Sequence, residues 1–127
     1  PNETEASELT GIAVSDLASA ERAAAALLAR GVSKASIVTL GEQGCLLFDG
    51  AEALHVPAFN AGHVVETTGA GDAFNGAFAA ALSEGMAPEA AVRFGCAAAG
   101  ISVTRAGTAP SMPARAEVEA LLSALSD

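Results

Sequence analysis

Apolar side chains recur at helical spacing in several parts of the chain. Ser15-Asp16 is a typical helix cap, and the apolar residues after it lie three, four or seven positions apart as far as Gly31, a residue typical of the position just beyond a helix. A second stretch repeats every four residues and predicts a helix that begins near Asp72. The apolar faces of these two helices are Leu17, Ala20, Ala24, Leu27 and Leu28 in the first, and Phe74, Phe78 and Leu82 in the second.

Two further helices are predicted in the last third of the chain. Pro88 suits the first turn of a helix, and few polar residues follow it before Arg105, so we expect this helix to be buried. Gly107, Pro110 and Pro113 then interrupt the pattern, and an amphipathic helix follows them. The apolar positions of these two helices are Val92, Cys96, Ala99 and Val103, and then Val118, Leu121, Leu122 and Leu125.

Three short segments between the first two helices have the pattern of β-strands. Residues 36–40 form a run rich in β-branched side chains that Gly41 closes. Residues 45–48 and 53–56 flank Asp49-Gly50, a pair typical of a tight turn between two strands. Helices and strands are therefore both present, no internal repeat separates them, and the pattern predicts one compact α/β unit.

Composition and charge exclude several classes of protein. A chain of 127 residues suits one domain. Its net charge of −9 argues against nucleic-acid binding, because a nucleic-acid-binding domain normally carries a basic patch. The acidic residues are scattered along the chain, which indicates a solvated surface. The longest apolar stretch, residues 94–103, is well short of the ~20 residues that span a bilayer, so no membrane partner is expected. Two cysteines make neither a disulfide framework nor a zinc spacing, which favours the cytoplasm. Because the chain begins with Pro1 and not Met, we expect it to be a piece of a longer protein.

The stretch with the clearest chemistry is Gly69-Ala70-Gly71-Asp72, at the predicted start of a helix. Glycine lets a ligand approach the backbone closely, and the first N–H groups of a helix have no acceptor within it, so this turn is suited to bind an anion. A carboxylate beside a bound phosphate indicates a task such as receiving the proton of an attacking hydroxyl. The alternative is that Asp72 is only a helix cap and that the Gly-x-Gly turn has no function.

Two other segments have a polarity that suits a nucleotide. Asn2-Glu3-Thr4-Glu5 offers an amide and carboxylates that could arrange magnesium-bound water around a triphosphate, although N-x-x-E is also a common helix start. Thr39-Leu40-Gly41-Glu42-Gln43-Gly44 is a strand end that opens into two glycines, where ligands of open α/β sheets collect. It is equally compatible with an ordinary turn. His55 and His63 have no second ligand at metal-binding spacing and are interpreted as structural or exposed to solvent.

Together these residues resemble the ribokinase family, or pfkB family, of carbohydrate kinases. Residues 67–76, Thr-Thr-Gly-Ala-Gly-Asp-Ala-Phe-Asn-Gly, resemble the second signature of that family, and residues 103–111 are most similar to its ribokinase branch. The resemblance extends from Asn2 to Val118 and matches only the carboxyl-terminal half of such an enzyme. It implies that residues 1–127 are the carboxyl-terminal part of a carbohydrate kinase domain, within a three-layer α/β/α doubly wound sheet. The lid, most sugar contacts and any homodimer formed through the lid would belong to the other half.

The resemblance also implies a role for individual residues. Asp72 would be the general base, and Gly69, Ala70 and Gly71 would form the anion hole for the transferred phosphoryl group. The remaining implied ATP-site residues are Asn2 at the phosphates, Glu5 at the hydrated Mg²⁺, and Thr39, Gly41, Gly44, Gly71 and Cys96 along the nucleotide. Relatives often have Asn or His where this chain has Cys96, and a small buried side chain is the competing interpretation of that cysteine.

A monovalent cation, usually potassium, accompanies the anion hole in ribokinases. Glu66 stands where the family commonly has Asp, a side chain one methylene shorter, so the resemblance is weakest at this position. We nevertheless expect activation by K⁺. The residues that would surround the ion, mostly through backbone carbonyls, are Glu66, Thr68, Ser102, Arg105, Gly107 and Ser111.

The function that the resemblance implies is ATP-dependent phosphorylation of the primary hydroxyl of a sugar, with ribose converted to ribose 5-phosphate as the leading reaction. Two alternatives stay open. The enzyme could act on another small sugar or on a nucleoside, as fructokinases and adenosine kinases do. The chain by itself could be only an inactive nucleotide-binding fragment, because half a kinase cannot enclose a sugar.

Overall fold

A computed structural model describes residues 1–31, 35–65, 67, 69–105 and 113–125, and every structural statement below concerns these residues. The chain divides into two units, Pro1–Pro57 and Ala58–Asp127. The first contains two helices and a small sheet, and the second contains three helices.

The first unit places two helices against a three-stranded antiparallel sheet. The helices are α1, Glu3–Thr10, and α2, Leu17–Ala29, and the strands are β1, Ser36–Thr39, β2, Cys45–Phe48, and β3, Ala53–Val56. The order in the sheet is β1-β2-β3. In this register Val38 pairs with Leu46, and Leu46 pairs with His55. A single 3₁₀ turn, Gly41–Gln43, joins β1 to β2.

Helix α2 begins and ends where the sequence predicts. Asp16 is its N-cap, and Gly31, with a φ of 111°, lies just beyond its C-cap. The predicted apolar face is correct for Ala20 and Ala24, which are buried, but wrong for Leu17, which is 39% exposed. The small alanines let α2 lie close to the sheet, where the core contains Ala6, Ala20, Ala23, Ala24, Val38, Leu40 and Leu46.

The second unit is built from α3, Ala70–Ser83, α4, Pro88–Ser102, and α5, Arg115–Leu125. Pro88 occupies the first turn of α4, and most residues of this helix are buried, as the sequence predicts. Helix α3 packs along α4, and α5 packs against α4 through Val118. The core of this unit contains Ala81, Ala91, Phe94, Ala97, Ala98, Ile101 and Val118.

Helix α3 begins at Ala70, close to Asp72, near which the pattern predicts its start. Its N-cap is Gly69, which has a φ of 86°, in the left-handed region that glycine adopts most readily. The Ala73 N–H donates to the Gly69 carbonyl at 2.9 Å, which closes the first turn of the helix. Asp72 is therefore inside the first turn and does not precede it.

Candidate active site

Asp72 lies in the first turn of α3 with its side chain exposed to solvent. The alternative that it serves as the helix cap is wrong, because Gly69 occupies the cap position. Within the described ranges no hydrogen bond or ion pair engages the Asp72 carboxylate. The next two residues, Ala73 and Phe74, are buried, so the start of α3 is anchored on one side and open on the other. None of the contacts made by the described residues therefore blocks the approach of a hydroxyl group to the carboxylate.

Of the two backbone N–H groups that precede Asp72, one is hydrogen-bonded and the other has no acceptor among the described residues. The Ala70 N–H donates to the Thr67 carbonyl at 3.2 Å, so this group of the predicted anion hole already has an acceptor. The Gly71 N–H meets no acceptor in the part of the chain that the structure describes. A Cβ built at Gly71 would have no described atom within 4 Å apart from its chain neighbours and the nearby backbone of α3, and the residue is exposed. The space beside Gly71 is therefore available to a ligand that approaches the backbone.

An apolar groove of about 280 Å³ begins at Asp72 and runs between α3, α4 and α5. Small side chains of α3 form one wall and Phe94 lies across from them, with Arg115 on α5 at the other wall. Arg115 is held by ion pairs with Glu84 and Glu119. The groove leaves the flank of Asp72 open to solvent.

Asn2 and Glu5 form a reciprocal cap at the start of α1 in the first unit. The Glu5 N–H donates to Asn2 Oδ1 at 2.8 Å, and the Asn2 N–H donates to Glu5 Oε1 at 3.1 Å. The alternative interpretation of N-x-x-E as a helix start is therefore confirmed. The cap uses one oxygen of each side chain, so the Nδ2 donors of Asn2 and the second carboxylate oxygen of Glu5 do not take part in it.

The same unit brings Asn2 beside Thr39, although 36 residues separate them in the sequence. Thr39 donates its N–H to the Pro1 carbonyl at 2.9 Å, and Asn2 and Thr39 form a parallel β-bridge. Two of the residues expected at the nucleotide are thus neighbours. Gly41 and Gly44 follow with φ of 58° and 91°, so both positions require glycine to make the turn, whatever else they contact.

Cys96 is buried in α4, with only 4% of its surface exposed. This burial favours the interpretation as a small core side chain over a contact with ATP. Ser102, at the end of α4, is also buried, and its carbonyl accepts from the Arg105 N–H at 3.1 Å. The other residues expected around potassium, Glu66, Thr68, Gly107 and Ser111, lie outside the described residues.

Within the described ranges no group of three His, Cys, Asp or Glu side chains is arranged to hold a metal ion. No helix there is long and apolar enough to cross a bilayer. His55, on β3, places Nε2 2.5 Å from the Gln43 carbonyl, so it ties the sheet to the 3₁₀ turn, in line with the structural interpretation.

Two residues that the sequence analysis did not select support the site. Glu117 on α5 forms an ion pair with Arg105 and accepts a hydrogen bond from the Ala114 N–H at 2.9 Å. Gly95 in α4 lies directly against Phe74. A glycine inside an apolar helix is itself a signal of close packing, so the sequence carried a sign of the second contact. The sequence did not indicate that the residue packed against Gly95 is Phe74.

The comparison with protein families identifies the chain. A family model described as pfkB family carbohydrate kinase matches residues 1–115. The chain belongs to the pfkB family of carbohydrate kinases. It is similar to a ribokinase from Haemophilus influenzae, with 42% identity over 117 residues that cover 92% of this chain and 38% of the relative. The membership in this family that the sequence motifs indicated is confirmed.

Solved structures of ribokinases share the fold. A ribokinase from Thermotoga maritima is 51% identical, with a TM-score of 0.86 over 97% of this chain and 41% of that protein. An Arabidopsis thaliana ribokinase complexed with ribose and ATP is 41% identical, with a TM-score of 0.87 over 96% of this chain and 39% of that protein. The prediction of an α/β, ribokinase-like fold is therefore confirmed, and the chain spans about two fifths of the length of these relatives.

Proposed function

We propose that the whole protein that contains this chain is an ATP-dependent sugar kinase, and that it phosphorylates ribose at its primary hydroxyl to give ribose 5-phosphate. The three similar proteins named above are ribokinases, and the structure of one of them holds ribose and ATP. The observation that carries the proposal is the exposed Asp72 carboxylate beside the Gly71 N–H, which has no acceptor among the described residues, at the first turn of α3. A group that can accept a proton, the Asp72 carboxylate, therefore lies next to a group that can donate a hydrogen bond to an anion, the Gly71 N–H.

The proposed step is an in-line transfer. The Asp72 carboxylate accepts the proton of the sugar hydroxyl, the hydroxyl oxygen forms a bond to the γ-phosphorus, and the bond from that phosphorus to the bridging oxygen breaks to release ADP. The Gly71 N–H would donate to an equatorial oxygen of the transferred group, where negative charge is concentrated. Atoms and charge balance, because the proton ends on Asp72 and leaves to solvent afterwards.

The first unit is proposed to hold the phosphates and the magnesium ion. The Nδ2 group of Asn2 is the donor that the capping interaction does not use, and it suits a phosphate oxygen. Mg²⁺ bound to ATP would neutralise phosphate charge, and it usually keeps several waters and needs few carboxylates. Glu5 is exposed and uses only Oε1 in the cap, so its other oxygen fits a contact with such a water. Thr39, Gly41 and Gly44 would line the nucleotide beside them.

The test is a steady-state assay of ADP release by the complete protein with ribose, fructose and adenosine as acceptors. We expect ribose to have the highest kcat/KM. In Asp72→Asn, kcat should fall by about 10² to 10⁴, the usual contribution of a positioned base, with a smaller change in KM for ATP. Asp49→Asn is the matched control, since Asp49 is an exposed aspartate whose carboxylate accepts, within its own turn, from the N–H groups of Ala51 and Glu52.

Each alternative corresponds to a different result. A preference for fructose or adenosine would replace ribose as the substrate and leave the role of Asp72 intact. ATP binding without transfer to any acceptor would indicate a nucleotide-binding protein. Full kcat in Asp72→Asn would overturn the proposed base. The chain of 127 residues alone should bind ATP weakly and phosphorylate nothing, because it spans about two fifths of its relatives.

A further inference from the structure

Gly95 on α4 and Phe74 on α3 approach each other more closely than any side chain at position 95 would allow. A Cβ at Gly95 would lie 2.7 Å from Cδ2 and 2.8 Å from Cε2 of Phe74, and 3.2 Å from the Phe74 carbonyl oxygen. Both residues are buried. The contact involves the backbone of α3 as well as the ring, so a rotation of the ring cannot remove it completely.

Phe74 and Asp72 lie on opposite sides of the same helix. Two positions along an α-helix of 3.6 residues per turn correspond to a rotation of about 200°. Phe74 accordingly faces the core, with 4% of its surface exposed, whereas Asp72 is exposed. The distance between Phe74 and α4 therefore determines the position of the Asp72 carboxylate on the opposite face of α3.

The Phe74 ring has little freedom to move aside. It stacks on the Phe78 ring, with 5.7 Å between the centroids and an angle of 7° between the planes. Phe78 is itself packed against the core of the unit. An added methyl group at position 95 would therefore displace the first two turns of α3 as a body, and the Gly71 N–H would move with Asp72.

We propose that Gly95 is a positioning residue for the transfer reaction. By lacking a Cβ it sets the distance between α4 and the first turns of α3, and through Phe74 it sets the place of the Asp72 carboxylate and the Gly71 N–H. This inference rests on the proposed function, because it concerns the geometry of that base. Misplacement of a reacting group by about 1 Å can cost about 10²-fold in rate.

The test compares substitutions in the complete protein by kcat, KM for ATP and thermal unfolding. Gly95→Ala should lower kcat about 10- to 100-fold and change KM for ATP much less, because the reacting groups move while most nucleotide contacts stay. Phe74→Leu, which leaves a gap at the same contact, should lower kcat by a smaller factor. The double variant should recover part of the kcat that Gly95→Ala loses, since the shorter side chain makes room for the methyl group.

Two variants of α4 serve as controls for stability. Gly100→Ala is the same substitution on the same helix, where the new Cβ would lie 2.5 Å from the Phe59 carbonyl oxygen. Ile101→Val removes one methylene group from the core and should cost about 0.5–1.5 kcal/mol. Both should lower the unfolding temperature and leave kcat of the folded protein unchanged.

The outcomes separate the two proposals. A loss of kcat in Asp72→Asn together with full kcat in Gly95→Ala overturns the role of Gly95 alone. If Gly95→Ala does not fold, full kcat in Phe74→Leu overturns it equally. A kcat that falls in the controls as much as in Gly95→Ala also overturns it, since the effect would then follow stability. Full kcat in Asp72→Asn removes the base, and this inference with it.

Discussion

The carboxylate of Glu117 forms an ion pair with the guanidinium of Arg105, twelve residues earlier in the chain. The same carboxylate accepts a hydrogen bond from the Ala114 N–H, which precedes α5. Because Ala114 has no side-chain oxygen, the glutamate three positions later supplies the cap from inside the helix. One side chain thus fixes the start of α5 and ties it to the segment that follows α4.

We expect Glu117→Ala to destabilise the complete protein by about 1–2 kcal/mol, because the substitution removes both the cap and the ion pair. Glu117→Gln should cost less, since its amide oxygen can still accept from Ala114. Urea unfolding measures both values. Glu119→Ala is the control: its ion pair with Arg115 is exposed to solvent, so this substitution should lower the free energy of unfolding much less than Glu117→Ala does. Equal losses in the three variants would contradict the linking role of Glu117.

The cap of α2 should make stability depend on pH. Hydrogen bonds from the Ser19 side chain and N–H lower the pKa of Asp16 from its ordinary value of 3.8. A carboxyl whose pKa is lower in the folded state stabilises the fold above the unfolded pKa, and this contribution is lost as pH falls through the folded pKa. The wild type should therefore be more stable than Asp16→Asn at neutral pH, and the difference should shrink below pH 3.8.

Urea midpoints of the complete protein across this range measure the effect. Asp16→Asn retains an oxygen that can accept from Ser19, so it isolates the charge, whereas Asp16→Ala removes the cap and should be less stable at every pH. A constant difference between wild type and Asp16→Asn would show that the aspartate charge contributes nothing.

Local signals predicted most of the elements correctly. Asp16, Pro88 and the Asp49-Gly50 turn each act on neighbouring residues, and the helix or turn at each of them lies where the sequence places it. The start of α3 lies near Asp72, as predicted, but Gly69, in a left-handed conformation, occupies the cap position that the alternative interpretation gave to the aspartate. A glycine N-cap has no side chain that accepts a hydrogen bond, so the sequence pattern does not distinguish it from other glycines.

Contacts between residues far apart in the chain could not be predicted from local sequence patterns. Gly95 and Phe74 are on different helices, and Glu117 reaches Arg105 across a gap that no periodicity spans. The site motif itself, residues 69–72, was predicted because its chemistry is contiguous in the chain. The exposure of Asp72 depends on how α3 seats on α4, and only the structure shows it.

Potassium should activate the enzyme if the resemblance to ribokinases extends to Glu66. We expect the rate of the complete protein to rise with KCl at constant ionic strength, with choline chloride as the balancing salt. Glu66→Asp, which restores the side chain common in the family, should lower the K⁺ concentration that gives half of the activation. Equal rates with and without K⁺ would show that this chain has no potassium dependence.

Substitutions at Gly71 can distinguish two roles of this glycine: its contribution to helix stability, and the space that it leaves for a ligand beside the backbone. Alanine is about 1 kcal/mol more favourable than glycine inside a helix, and a Cβ at Gly71 would meet no described atom within 4 Å apart from its chain neighbours and the nearby backbone of its own helix. Gly71→Ala should therefore leave the fold as stable as before, or more so. If phosphate lies against the backbone here, the same methyl group should raise KM for ATP, and the branched side chain of Gly71→Val should raise it further. Steady-state kinetics of the complete protein, read beside its unfolding temperature, measure both effects, and an unchanged KM in both variants would place the phosphate elsewhere.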